Sequence, residues 1–438
     1  MPAASEVSRQ RVLAIAWPII LSNLSVPLLG MVDTAVIGNL GDTALIGAIA
    51  VGAMIFSFLY WGFGFLRMGT TGLVAQARGA GDVEEVKASF YRPLAVGFGV
   101  GLTLFALQVP ISRLAFLLID GSTAVEHAAR TYFYVRIIGA PASLANLAIA
   151  GFLLGQERTR ALLAVQITLN GTNILLDFLF VVGFGWGVAG VAAATVIAEV
   201  TALAFGSYLA LARIHAESRR LTIDLARFWN IAALKRMFVV NRDIMIRTLC
   251  LIFAFAWFTN QGAKSGDTIL AANAILMQFV SFSAFFLDGF ALSAETLVGS
   301  AIGARSGSRL NNALRYTTEL SVGTAAVISV GLYFAAIPVI AVLTNVDAVR
   351  NTAAIYLPWA VAAPIVSVWC YLLDGIFIGA TRTVEMRNAM IVSLAVYLAA
   401  WYPLQAHFGN HGLWSAFIIY FVARALSLLV YLPRVRSI

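Results

Sequence analysis

Apolar residues dominate the chain in runs that are long enough to cross a lipid bilayer. These runs recur between Val12 and Leu432 and are separated by short polar segments. A helix of about 18 or more apolar residues spans a hydrocarbon core of roughly 30 Å. The pattern predicts twelve transmembrane helices with these bounds: 10–38, 44–77, 90–118, 127–154, 160–183, 187–213, 237–262, 267–303, 313–343, 350–380, 385–405 and 412–433.

The composition supports an all-α polytopic membrane protein. Of the 438 residues, 61% are hydrophobic and 11% are charged, whereas soluble domains carry about 25% charged residues. The first apolar run follows Arg9 and Arg11, as the apolar core of a signal peptide would. However, it is long, contains Asp33 and lacks a small-residue cleavage site, so we expect it to be retained as the first span.

The formal net charge of +8 is distributed unevenly among the loops. Basic residues concentrate at both termini, in alternate loops and in the segment from Arg213 to Arg247. Arg130, Lys264 and Arg350 are the basic residues of the remaining loops. The positive-inside rule then predicts that both termini and the central segment are cytoplasmic. The positive charge is therefore a signal of topology, and no nucleic-acid partner is predicted.

The two halves of the chain resemble each other. Three sequence blocks recur in the same order 224 or 225 residues later, as "GDTALIGAIA" from Gly41 does in "GDTILAANAI" from Gly266. Each half has six predicted spans, so the repeat is parallel, with its axis along the membrane normal. We therefore expect an N-terminal six-helix bundle (1–213), a cytoplasmic linker (214–236) and a pseudo-symmetric C-terminal bundle (237–438).

Acidic residues inside the predicted spans are the main functional signal. A charged side chain at a helix centre costs about 2.5–3.5 kcal/mol on insertion scales. We expect only Arg67, Arg136 and Arg424 to be able to pair with acids inside the membrane, so at least three acids need a proton, a metal ion or water. The acids within spans are Asp33, Asp177, Glu199, Asp288, Glu295 and Asp374.

The fifth span carries a stripe of polar residues. Gln166, Asn170, Asn173 and Asp177 fall within about 40° of one direction on a helix with 100° per residue. Lipid cannot satisfy these groups, so the stripe is expected to face the interior of the bundle. A hydrogen-bond network that only fixes helix packing is the alternative to a cation or proton site.

Thr195 and Glu199 share a face of the sixth span at i,i+4 spacing, and Asp33 is the expected partner of both polar faces. Carboxylate, amide and hydroxyl oxygens suit Na⁺ as hard ligands. Two carboxyl groups at close range equally favour one shared proton. The spacing alone does not choose between these cations.

The second half has acids of its own. Ser281, Asp288 and Glu295 repeat every seven residues along the eighth span, and Asp374 lies in the tenth. Two interpretations stay open: these acids line a polar cavity that attracts cationic substrates, or they pair with Arg424 or Arg67 as internal ties. Asp374 is the stronger functional candidate.

Motifs for catalysis are missing from the sequence. It has no Gly-rich phosphate loop followed by Lys-Ser/Thr, no nucleophile elbow and no zinc-protease motif. Cys250 and Cys370 give no disulfide framework. We therefore predict that the protein is not an enzyme and has no cofactor apart from a coupling ion.

Several motifs together resemble the multidrug and toxic compound extrusion (MATE) family. They are "PLLGMVDTAVIGNLG", "LVAQARGAGD", "NILLDFLF" followed by "GVAGVAAATVIAE", and "DGIFIGATRT". "NRDIMIRTL", "ANAILMQF" and "LDGFALSAETLVG" are similar to its DinF-type bacterial branch. The resemblance implies a V-shaped, MOP-like pair of bundles that exchanges drugs or organic cations for H⁺ or Na⁺ in the bacterial inner membrane.

The resemblance also assigns roles to residues. The family's acid in the C-terminal lobe falls on Asp374. The family also has a glutamate in that lobe, and this sequence has only Asn260 or Gln261 at the corresponding place. We therefore do not expect a complete Na⁺ site in the C-terminal lobe. The resemblance favours coupling in the first lobe, with H⁺ favoured over Na⁺. The family's cation site in that lobe falls on Asp33, Asn173, Asp177 and Thr195.

The sequence therefore predicts a monomeric antiporter that exports lipophilic or cationic small molecules and contacts membrane lipids. A lipid-linked precursor flippase of similar architecture is the nearest alternative, although it would favour a basic cavity. A membrane receptor or scaffold without transport activity is an alternative from another class, although it has no need of a duplicated bundle.

Overall fold

A computed structural model describes residues 6–38, 43–118, 122–218 and 224–436. Helices and short turns make up these residues, and polar side chains mark where several helices begin. Asp82 and Ser122, for example, accept hydrogen bonds from backbone N–H groups of the first turns that follow them. The helices are α1 (Arg9–Gly38), α2 (Thr43–Trp61), α3 (Phe65–Gly79), α4 (Val83–Ala106), α5 (Gln108–Leu118), α6 (Thr123–Arg136), α7 (Ala140–Gly155), α8 (Thr159–Asp177), α9 (Gly187–Ser218), α10 (Leu225–Phe228), α11 (Ile231–Lys264), α12 (Asp267–Gly303), α13 (Gly307–Leu343), α14 (Asp347–Gly379) and α15 (Thr383–Arg436).

Ten segments within the described residues are long and apolar enough to cross a membrane. One of them, Thr383–Arg436, holds the last two predicted spans, because non-helical Gly409 (φ 56°, ψ −131°) separates two helices. The predicted span 237–262 lies within α11, which is not among the ten. The prediction of an all-helical membrane protein is confirmed, and the predicted span 90–118 consists of two helices that meet at Leu107.

The chain forms two compact units. Leu21–Asn241 forms the N-unit, whereas Met1–Ile20 and Arg242–Ile438 together form the C-unit. These units differ from the predicted division into 1–213 and 237–438. Both boundaries fall inside continuous helices, α1 and α11, so no loop marks them.

In the N-unit, helices approach one another closely where small residues face a neighbour. A Cβ atom built on Gly101 of α4 would lie 2.3 Å from the Cα atom of Pro141 in α7. Such contacts require glycine and allow close packing of membrane helices. The core between α2 and α6 is aromatic, with the rings of Phe56 and Phe133 stacked 5.4 Å apart.

The predicted linker 214–236 is partly helical. It contains the end of α9, all of α10 and the start of α11, while residues 219–223 lie outside the described residues. Arg92 holds α10 against α4 by donating to the carbonyl oxygens of Arg227 (2.5 Å) and Phe228 (3.2 Å). Beneath α10 lies an apolar cavity of about 580 Å³, lined in part by Leu94 and Phe228.

In the C-unit, α12 and α14 pack along their length. A Cβ atom on Gly375 would lie 2.1 Å from the carbonyl oxygen of Ala291, and one on Gly379 would lie 2.2 Å from that of Glu295. The contact depends on glycine at both positions. It fixes α14, which carries Asp374, against α12.

Candidate functional site

The polar stripe predicted on α8 faces the interior of the N-unit at its second half. Asn173 and Asp177 are fully buried, and Asn170 is 9% exposed. Gln166 donates to Asn170 at 3.0 Å, and Asn170 donates to the carbonyl oxygen of Ser25 in α1 at 3.3 Å. These bonds connect α8 to the helix that carries Asp33.

The Asn173 amide lies at the centre of a cluster that also contains Asp33, Asp177 and Thr195. With the amide oriented so that both of its polar atoms have partners, its nitrogen donates to Asp33 Oδ1 at 3.2 Å and to Asp177 Oδ2 at 3.0 Å. Its oxygen then accepts from the Thr195 hydroxyl at 3.1 Å. The four residues predicted for cation coupling are therefore brought into one cluster from α1, α8 and α9.

The opposite orientation of the amide has a different set of partners. Its nitrogen then donates to Thr195 Oγ1 at 3.1 Å, while that hydroxyl donates to the carbonyl oxygen of Val191 at 2.9 Å. The amide oxygen then faces the two carboxyl groups and needs a proton on at least one of them. The amide can thus serve both a charged and a protonated form of the acids.

No basic side chain among the described residues forms an ion pair with Asp33 or Asp177. Asp33 is half-buried, and Asp177 Oδ1 is buried without a hydrogen-bond partner. The two carboxyl groups approach the same Asn173 side-chain nitrogen, at 3.2 and 3.0 Å. Two such groups can share one proton, because both cannot easily carry charge at this distance.

Glu199 has a partner of its own. Arg136 donates to both carboxylate oxygens, with Nη1–Oε2 at 2.8 Å and Nη2–Oε1 at 2.5 Å, and both residues are buried. Arg136 is one of the three arginines expected inside the spans, and it pairs with an acid. Arg67 forms no ion pair within the described residues, and its Nη1 atom is buried without a partner.

Asp374 lies in a separate cluster in the C-unit. Arg247 and Arg424 both donate to its Oδ2 atom, and all three side chains are buried. Asp374 therefore fits the second interpretation of the C-terminal acids, in which they form internal ion pairs with arginine. Asp288 is half-buried, and Glu295 is 1% exposed.

The sequence predicts two different positions for Arg247, because the charge pattern assigns it to the cytoplasmic segment while the predicted span 237–262 includes it. It lies well inside α11 and is 6% exposed. The apolar run that follows it, "TLCLIFAFAWF", marks the helix but not where its buried part begins. Arg247 contacts Asp374 from a different helix, and the local spacing of residues in the sequence does not reveal such a contact.

The buried acids, the small-residue helix contacts and the apolar spans are together the features of a multi-pass membrane protein. The MatE family model matches residues 18–179 and 244–401, and the chain belongs to this family of multidrug efflux transporters. The two matched segments fall in the two similar halves of the sequence.

Relatives with established names cover nearly the whole chain. It is 42% identical to DNA damage-inducible protein F of Escherichia coli K12, over 94% of this chain and 90% of that protein. It is 27% identical to the probable multidrug resistance protein NorM of Rhizobium meliloti, over 94% of this chain and 90% of the relative.

Solved structures share the fold. A crystal structure of a MATE protein in the bent conformation superposes with a TM-score of 0.86, at 18% identity, over 97% of this chain and 95% of the other. An outward-facing MATE transporter of the MOP superfamily superposes with a TM-score of 0.86, at 18% identity, over 98% and 96% of the two chains. The fold expected from the resemblance is confirmed.

Proposed function

We propose that the protein is a secondary antiporter that exports lipophilic or cationic small molecules in exchange for H⁺. Coupling takes place at Asp33, Asn173, Asp177 and Thr195. The observation that carries this proposal is a pair of carboxyl groups joined by the Asn173 amide. Neither group forms an ion pair with a basic side chain among residues 6–38, 43–118, 122–218 and 224–436. Such a pair can accept a proton from one side of the membrane and release it to the other.

The change of protonation supplies the driving force. Carboxylates inside a membrane span are costly, and each proton that binds removes a charge from the cluster. Moving one elementary charge through 100 mV is worth about 2.3 kcal/mol. Differential binding of substrate by the protonated and deprotonated forms then couples the proton gradient to export.

The geometry supports H⁺ over Na⁺ as the coupling cation. In the orientation that satisfies both polar atoms, the Asn173 amide presents N–H donors to Asp33 and Asp177. These donors stabilise carboxylates but cannot ligate a cation, because Na⁺ requires oxygen atoms. Sodium would need the amide reversed, with loss of both bonds to the acids.

The substrate class follows from the family. We expect flat lipophilic molecules or organic cations, and membrane lipids as neighbours of a monomeric protein. The distribution of basic residues supports an orientation in the bacterial inner membrane with both termini in the cytoplasm. Export from this compartment is powered by protons that enter it.

Transport by purified protein in liposomes tests the proposal. We expect an imposed proton gradient to drive movement of ethidium, a cationic dye, and Asp33→Asn to abolish that movement. Asp347→Asn is a matched control, because Asp347 is at the start of α14 and its side chain is 88% exposed. Full proton-driven transport by Asp33→Asn would refute coupling at this cluster, and transport driven only by a sodium gradient would replace H⁺ with Na⁺.

A further inference from the structure

The apolar cavity beneath α10 has the size of a ligand site. Its volume of about 580 Å³ falls among small-molecule pockets, which occupy about 300–1,000 Å³. Ten described residues line it, and none of these ten is charged. The hydroxyl groups of Tyr91 and Ser207 and the indole N–H of Trp229 are the polar side-chain groups of this lining. Such walls favour an apolar occupant over water.

The cavity follows the direction of the membrane-spanning helices. Along α4 its lining extends from Tyr91 to Phe98, which is about 10 Å of helix. Leu203 and Ser207 line it one turn apart on α9. Ala95 and Phe98 are also exposed, so the cavity opens at the surface of the helices. Because α4 and α9 can each cross a membrane, a hydrocarbon chain of the bilayer can enter from the side.

The segment that covers the cavity has the composition of a membrane interface. Leu225 and Trp229 line the cavity but are 67% and 66% exposed, and Ile231 is 81% exposed. Tryptophan is common at the level of lipid headgroups, where its ring contacts apolar chains and its N–H contacts water. The sequence 213–236 contains six basic and two acidic residues. Basic clusters next to a transmembrane helix bind anionic lipids.

Arg227 has hydrogen-bond donors available for a phosphate group. It lies between Leu225 and Phe228, which both line the cavity, and its side chain is 42% exposed. Its Nη1 atom donates to the two carboxylate oxygens of Asp82, at 2.7 and 2.8 Å. Its Nε and Nη2 atoms have no hydrogen-bond partner among the described residues. A guanidinium with two such nitrogens suits a phosphate.

The charged and apolar parts follow one another along α4 in the order of a headgroup and its acyl chain. Asp82, which binds Arg227, immediately precedes α4. The cavity lining begins at Tyr91, about 13 Å further along the helix. Arg92 fixes α10 over this region by donating to the carbonyl oxygens of Arg227 and Phe228. A phosphate on Arg227 therefore leaves the attached chain free to extend towards the cavity.

The acids at the start of α4 do not exclude an anion from this place. Glu84 pairs with Lys87 at 2.8 Å, and Glu85 pairs with Arg92 at 2.7 Å. Lys235, near the start of α11, is exposed and forms no ion pair within the part of the chain that the structure describes. The local charge therefore favours an anionic headgroup over a cationic one.

We propose that the cavity beneath α10 binds one acyl chain of an anionic glycerophospholipid, with the phosphate held by Arg227. In the orientation proposed above, α10 is cytoplasmic, so the lipid comes from the cytoplasmic leaflet. The site is separate from the coupling cluster and does not depend on proton coupling at Asp33. The bound lipid also stabilises α10 against α4, because it binds only the arrangement in which they are together.

Native mass spectrometry of the full-length protein in detergent tests the headgroup contact. The probes are phosphatidylglycerol and phosphatidylcholine with identical acyl chains. We expect the wild type to bind one phosphatidylglycerol at least about fivefold more tightly, because each nearby basic residue attracts an anionic lipid. Arg227→Gln should reduce this preference by about fivefold. Arg382→Gln is the matched control, since Arg382 is an exposed arginine that also pairs with an acid, Glu385.

The acyl-chain contact is tested by filling the cavity. Ala95→Trp places an indole against the α4 wall, so bound phosphatidylglycerol should be lost although Arg227 is kept. Ser207→Phe fills the cavity from α9 and serves if Ala95→Trp does not fold. Ala204→Trp is the control, because Ala204 is exposed beside Leu203 but does not line the cavity. Thermal unfolding without added lipid checks that each variant is folded.

The outcomes decide the proposal. Loss of phosphatidylglycerol in a folded cavity-filling variant, with a reduced lipid preference in Arg227→Gln and wild-type binding in both controls, supports it. Equal affinity of the wild type for the two lipids overturns it, as does unchanged binding in the filled variants. Displacement of phosphatidylglycerol by ethidium would assign the cavity to transported substrates instead. Asp33→Asn should bind the lipid as the wild type does, so this result is independent of proton coupling.

Discussion

The side-chain nitrogen of Asn173 lies 3.0 Å from Oδ2 of Asp177, one turn further along α8. The same nitrogen reaches Asp33 of α1 at 3.2 Å. One amide thus binds two acids from different helices. This arrangement separates the cluster from an ordinary packing network, because neither acid forms an ion pair with a basic side chain in the part of the chain that the structure describes.

Asn173→Leu should change the pH dependence of transport. It removes hydrogen bonds to both acids, and a bond to a charged group is worth about 1.5–3 kcal/mol. We therefore expect the midpoint of proton-driven transport to rise by roughly one pH unit. If the folded Asn173→Leu variant keeps the wild-type midpoint when transport is measured in liposomes, the amide does not stabilise the charged acids. Asn388→Leu is the control, since Asn388 lies on α15 in the C-unit.

Asp374→Asn should lower stability rather than uncouple transport. It leaves Arg247 and Arg424 buried without a carboxylate, and loss of one partner of a buried ion pair costs about 3–5 kcal/mol. Thermal unfolding in detergent should show a large fall for this variant and none for Asp347→Asn. A variant with wild-type thermal stability and no proton coupling would instead make Asp374 a coupling acid.

Gly139→Ala should destabilise the N-unit. The added methyl group would meet Glu199 Oε2 at 2.8 Å, and overpacking of a buried site costs about 1–3 kcal/mol. Gly171→Ala on α8 is the matched control, because its Cβ would have no atom within 4 Å. Thermal unfolding that is equal in both variants would contradict tight packing around the Arg136–Glu199 pair.

Acid should release α10 from α4. Burial of Asp82 opposes its ionisation, but hydrogen bonds from Arg227 and from the backbone N–H of Glu85 outweigh this and lower the pKa of Asp82. A lowered pKa stabilises the contact above the usual pKa of an aspartate, near 3.9, and this stability is lost as the pH falls through the value in the folded protein.

Hydrogen exchange of the α10 amides measures this release. After correction for the intrinsic rate, exchange should accelerate below about pH 4. In Asp82→Asn it should already be fast at pH 7, whereas Asp224→Asn should leave the contact with Arg227 in place. Equal protection of α10 in wild type and Asp82→Asn at pH 7 would contradict a role for this ion pair.

The sequence was a good guide to features with a local period. Apolar runs predicted the helices, and the spacing of Asn170, Asn173 and Asp177 on α8 predicted one polar face that lies largely inside the N-unit. Residues three or four positions apart on a helix lie on the same side of it. The motif resemblance then brought Asp33 and Thr195 to the same cluster, and the structure places all of them together.

Features that depend on contacts between distant segments could not be predicted in the same way. Arg247 and Asp374 are 127 residues apart, and Arg136 and Glu199 are 63 apart. A charge pattern places an arginine in a loop or a span but does not choose its partner. The unit boundaries lie within α1 and α11, and they too depend on contacts between distant segments rather than on a loop in the sequence.

Arg92 holds α10 through carbonyl oxygens of the main chain and not through side chains. Any residue supplies such an oxygen, so this part of the attachment tolerates substitution at position 228, whereas position 227 also needs its arginine for the pair with Asp82. Natural variants can therefore change the side chain at position 228 while the same guanidinium keeps the backbone of this segment against α4.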